Sequence, residues 1–124
     1  MMDAAIIRTI MALSLTVLLE LLAFYLFIKR RIPKERHLSW VIFIVGLNLF
    51  TNPLAHFIYY FLSTHILVGF SWIITELIVV LMEAALINLV MLITLRRALI
   101  YSLILNGTSI VLGEYIWWGL YLLH

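Results

Sequence analysis

The sequence predicts an all-α membrane protein, a bundle of four transmembrane helices arranged as two helical hairpins repeated in parallel. Three observations carry that expectation. Of 124 residues, 66% are apolar and only 11% charged, with a mean hydropathy of +1.19. The apolar residues fall into four long runs, and the basic residues gather in the short segments between them. A typical soluble domain is nearer half apolar and a quarter charged, and a small fold leaves much of its chain exposed. A soluble enzyme, a nucleic-acid-binding module and a disordered tail are therefore excluded. The length suits a single integral membrane domain, residues 1–124.

The four runs are residues 4–28, 38–62, 66–95 and 98–123. Each exceeds the ~20 residues that cross ~30 Å of hydrocarbon at ~1.5 Å per residue. The alternation of a membrane β-strand is absent, and backbone groups in lipid must be paired within their own segment, so the runs are helices.

Seven of the eight Lys and Arg residues mark the connections, and only Arg8 lies elsewhere. Lys29, Arg30, Arg31, Lys34 and Arg36 fill the first, Arg96 and Arg97 form the third, and 63–65 carries none. Connections one and three share a side, and the preference of basic residues for the inside makes that side cytoplasmic, with both termini outside. The expected location is a cytoplasmic (inner) membrane of a prokaryote. The first run lacks a basic leader and a small-residue cleavage pattern and is interrupted by Glu20, so it reads as a retained helix. Gathered, Arg8 apart, in two connections, the basic residues mark topology and not a nucleic-acid surface.

Aromatic rings favour the headgroup level. Phe57, Tyr59, Tyr60, Trp72, Tyr115, Trp117, Trp118 and Tyr121 gather near the outer boundary, and Tyr25, Trp40 and Tyr101 near the inner one.

Four of the six carboxylates, Glu20, Glu76, Glu83 and Glu114, stand inside the spans. An ionisable side chain at a helix centre costs about 2.5–3.5 kcal/mol on insertion scales. The surrounding apolar residues offset that, but the carboxylates should turn inward. Counted from the basic turns, Glu20, Asn48 and Asn106 fall about 12–15 Å deep. Asn52, Glu83 and Ser109 fall about 18–21 Å deep, and Arg8, His56, Glu76 and Glu114 about 26–31 Å. Helical phase puts Asn48, Asn52 and His56 on one stripe, Glu76 and Glu83 on one face, and Ser102, Asn106, Ser109 and Gly113 on a small-and-polar stripe. Asn88 fits no stripe. In the outer layer Arg8 is expected to pair with Glu76 or Glu114, Glu76 being favoured. Pro53 frees the carbonyl of Leu49, which Thr51 or Asn52 can satisfy.

Helices two and four align at an offset of 58 residues: Leu47-Asn48 with Leu105-Asn106, Thr51 with Ser109, His56 with Glu114, and Tyr59-Tyr60 with Trp117-Trp118. Such a repeat would bring Glu20, Glu83, Asn48 and Asn106 together.

Without cysteine, disulfides and thiolate chemistry are excluded. There is no HExxH, no pair of intramembrane histidines for haem and no glycine-rich phosphate loop. No catalytic set, cofactor or metal site is expected, and no motif assigns a family. The sequence instead supports a transporter or channel subunit. Its proton- or cation-linked polar site would be formed by Glu20, Glu83, Asn48, Asn52, Asn106 and Ser109. The alternative is a non-catalytic accessory or assembly subunit whose polar residues fix helix packing. The expected partners are the lipid bilayer and either further copies of the chain or a larger membrane protein.

Overall fold

A computed structural model of the chain describes residues 3–123. It is 91% helical, with no strand among the described residues. The four long helices are α1 (Ala4–Ala23), α2 (His37–Ser63), α3 (Val68–Met91) and α4 (Leu95–Leu122). All four helical segments are long and apolar enough to cross a membrane, which marks an integral membrane protein.

The N-cap of α1 is Asp3, whose carboxylate accepts the Ala5 amide at 3.4 Å. At its other end α1 widens into a π turn, Phe24–Ile28, where the Lys29 amide reaches back to the Phe24 carbonyl. It then tightens into a 3₁₀ turn, Lys29–Arg31. The helical path therefore runs three residues past the expected end at 28. Lys29, Arg30 and Arg31 ride on its C-terminal end, where positive charge complements the helix dipole. Pro33 stops the path with an extended backbone, and a second 3₁₀ turn, Lys34–Arg36, leads into α2.

Pro53 does not break α2, which continues to Ser63. The connection to α3 is closed by its own polar groups. The Ser63 hydroxyl donates to the Tyr60 carbonyl at 2.9 Å, and Thr64 donates to the Phe61 carbonyl at 2.7 Å. The His65 ring packs 4.7 Å from that of Phe61. These contacts serve terminal carbonyls that have no partner within the helix.

The turn between α3 and α4 corrects the expected boundaries. The sequence places it at Arg96–Arg97, but α3 stops at Met91 and α4 begins at Leu95. Leu92 adopts the left-handed conformation (φ 56°) that ends helices. The Asn88 amide donates to the Ile93 carbonyl at 2.6 Å, and Thr94 Oγ1 accepts the Arg97 amide at 3.3 Å as an N-cap. Asn88, which fits no helical stripe, thus ties down this turn. Arg96 and Arg97 occupy the first turn of α4, where the helix dipole opposes positive charge. Arg97 is held by Tyr101, its Nη2 donating to the phenolic oxygen at 3.0 Å.

The chain divides into two compact units. The first comprises α1, its connection, α2 up to Val45, and α4 from Ile104. Its core holds Ala23, Phe24, Ile28, Trp40 and Ile44. Phe24 stacks on Trp40, with ring centroids 5.8 Å apart and planes at 17°, and meets the His37 ring edge-on. His37 Nε2 lies 2.8 Å from the Ile32 carbonyl and 3.1 Å from that of Lys29. Carbonyls only accept, so this nitrogen carries the proton and donates. The second unit is Gly46–Leu103, with Val79, Ala84, Ile87, Met91 and Ala98 buried.

The aromatic reading needs correction at the inner boundary. Trp40 is 1% exposed and Tyr101 is also buried, so both are core residues and only Tyr25 is free to meet headgroups. Of the rings expected at the outer boundary, Phe57, Tyr60, Trp72, Tyr115, Trp117, Trp118 and Tyr121 are exposed, and Tyr59 is half-buried.

Leu92 is 82% exposed, so little packing is lost when it is replaced. Leu92→Gly removes the left-handed strain of a side chain and should stabilise the protein by about 1 kcal/mol. Reversible unfolding in mixed detergent and SDS will measure it.

Candidate functional site

In the second unit the buried face of α3 runs through Ser71, Thr75, Val79, Glu83, Ile87 and Met91, each four residues after the last. The hydroxyls near its start satisfy themselves locally. Ser71 donates to the Leu67 carbonyl and Thr75 to that of Ser71. Glu83 has no such recourse, because a carboxylate cannot donate to its own helix. It is 1% exposed, and its Oε1 stands 3.0 Å from Thr51 Oγ1 on α2.

Thr51 Oγ1 also lies 2.8 Å from the Leu47 carbonyl, one helical turn back. A threonine hydroxyl has one proton and two lone pairs. Both contacts are served in full when the Glu83 carboxyl holds a proton. The carboxyl then donates to Oγ1, and Oγ1 donates to Leu47. With Glu83 ionised, the single hydroxyl proton is shared between two acceptors. Thr51 Oγ1 thus links the Glu83 carboxyl to the backbone of α2.

The rest of the stripe on α2 adjoins this pair. Asn48 is buried and accepts from Asn52 Nδ2 at 3.4 Å, while Asn52 is half-buried. On α4, Ser102 is buried and donates to the Val80 carbonyl of α3 at 2.8 Å. A side chain reaching a neighbouring helix's backbone requires close approach, which small residues permit. Thr51 turns to Leu47 and Glu83, not to the Leu49 carbonyl that Pro53 leaves free.

In the first unit Glu20 is fully buried on α1, and Asn106 is buried on α4. Ser109 is half-buried and donates to the Asn106 carbonyl of its own helix at 3.0 Å. Gly113 faces α1, with Leu19 Cδ1 3.9 Å from where a β-carbon would stand.

Of the expected outer layer, Arg8, His56 and Glu114 are exposed and Glu76 is half-buried. Among the described residues of its own unit, the side chain of none of the four makes a hydrogen bond or ion pair. No cluster of three or more His, Asp or Glu suited to a metal occurs among the described residues.

Sequence reasoning undervalued Thr51 and Ser102. Thr51 lies three residues past Asn48, on the same helical face, and that spacing was the available signal. Its partner lies 32 residues away, and nothing local announces it.

No protein family, curated protein or solved structure matches this chain.

The Thr51–Glu83 contact yields a stability prediction. Thr51→Val keeps the shape but removes the hydroxyl, and should destabilise the protein by about 0.5–2 kcal/mol. Thr51→Ser should stay near the parent. A double-mutant cycle with Glu83→Gln, read by SDS-induced unfolding, isolates the pair.

Proposed function

We propose that this chain is a small transport protein or channel subunit in which Glu83 takes up and releases a proton. The observation that carries the reading is the proton count at Thr51. One buried hydroxyl is set between the Glu83 carboxyl and the Leu47 carbonyl. An ionisable group buried in a membrane-spanning helix is by default a pathway residue. Asn48 and Asn52 supply further polar groups on the α2 face that carries Thr51, and Glu20 is the second fully buried carboxyl. Four helices enclose little volume, so a second copy or a larger membrane protein completes the path.

The basic segment Lys29–Arg36 and the pair Arg96–Arg97 face the cytoplasm in this proposal. Arg96 and Arg97 support it, because they sit against the dipole of α4, a position that helix electrostatics alone would disfavour. The parallel repeat belongs to the same proposal. At the offset of 58, Trp40, Ile44, Leu47 and Asn48 are buried on α2, and Ala98, Ser102, Leu105 and Asn106 are buried on α4.

A second reading rests on the Ser102–Val80 hydrogen bond. Interhelical polar contacts of this kind also serve packing specificity, which suits an accessory subunit.

The deciding experiment is proton flux into liposomes, read by a trapped pH dye under an imposed potential. Glu83→Gln retains an amide donor for Thr51 but cannot exchange a proton. It should fold normally and abolish flux, and Glu20→Gln is tested beside it. A parent protein that passes no protons, or a Glu83→Gln variant as active as the parent, removes the transport reading. A changed melting temperature or altered co-purifying partners, with no flux in any variant, marks the accessory subunit.

Topology is tested separately, since the chain has no native cysteine. In intact cells an impermeant maleimide should label Thr64→Cys, whereas Lys34→Cys should react only after permeabilisation.

A further inference from the structure

The junction between α1 and α2 holds a groove of about 410 Å³ within the first unit. It is lined by Tyr25, Leu26, Lys29, Arg30, Lys34 and His37, with Ile32 between them. Three of these carry fixed positive charge, and none is a carboxylate. The two 3₁₀ turns, Lys29–Arg31 and Lys34–Arg36, bring Lys29 and Lys34 to the same groove. Lys29 is steadied by Tyr25, its Nζ 4.3 Å from the ring centroid. His37, also in the lining, is fixed by the carbonyls of Lys29 and Ile32.

The groove's lining combines two chemistries. Its cations lie past the end of the apolar run. Its apolar residues belong to the last turns of that run, where Tyr25 is 61% exposed and Leu26 and Phe27 are also exposed. Leu38 and Ile42 extend exposed apolar surface on α2. A phosphate joined to acyl chains has this polarity, whereas a free phosphate has no use for the apolar wall. Basic pockets at the end of membrane helices are suited to anionic headgroups.

We propose that this groove seats the phosphate of an anionic phospholipid, with Lys29 and Lys34 as its principal contacts and Tyr25 and Leu26 against the acyl chains. The site goes beyond the transport reading and does not rest on it.

The test is native mass spectrometry of the full chain in detergent, titrated with phosphatidylglycerol or phosphatidylcholine of identical acyl chains. The parent should prefer phosphatidylglycerol about twenty-five-fold, at about a factor of five for each of the two lysines near a charged headgroup. Lys29→Gln with Lys34→Gln should bring the two lipids to near equality. Lys34 is exposed, so Lys34→Gln alone should fold normally and lose part of the preference. Arg96→Gln with Arg97→Gln removes the same charge elsewhere and should leave the preference intact. Equal binding of both lipids by the parent, or an equal loss in the Arg96/Arg97 variant, overturns the site. Inorganic phosphate that competes as well as phosphatidylglycerol overturns the lipid as its occupant.

Discussion

Hydrocarbon offers a polar group no solvent, so each one must find its partner inside the protein. Glu83 shows how narrow the solutions are. A hydroxyl can bond back to its own helix, as Ser71, Thr75 and Ser109 do. A carboxylate needs a donor from elsewhere, and Thr51 of α2 stands within reach. The four-residue recurrence along α3 follows from this need, since the face that carries Glu83 must be the face that is covered.

The same constraint shapes the helix ends. Terminal carbonyls and amides lack partners in their own helix. Ser63 and Thr64 close the end of α2, Asn88 and Thr94 bracket the turn after α3, and His37 gathers two carbonyls beyond α1. Short polar side chains thus do in the turns what water does for a soluble protein. Phe24 and Trp40 add an apolar clamp at the connection between α1 and α2, where Phe24 also meets His37 of the groove lining.

The burial of several polar residues in the candidate site was legible in the sequence. Glu20, Glu83, Asn48 and Asn106 were expected to turn inward, and all four are buried. Helical phase supports that inference, because a polar side chain in an apolar helix has one tolerable direction. Glu76 shares a face with Glu83 by spacing yet is only half-buried. It lies seven residues nearer the start of the helix, and spacing along a helix says nothing of how far a neighbouring helix covers it. Trp40 misled for a related reason. A tryptophan near a boundary resembles a headgroup anchor until Phe24 is seen beneath it. The turn at Leu92 was hidden inside an apolar run, since leucine carries no signal for a left-handed residue.

Hydropathy sums over a segment, and so the chain alone determined its solvent and its four helices, though not where the third turn falls. A hydrogen bond belongs to a pair, and its geometry depends on how distant segments meet. Only the folded structure decided that Thr51 answers Glu83, that Ser102 reaches the backbone of α3, and that Lys29 and Lys34 line one groove.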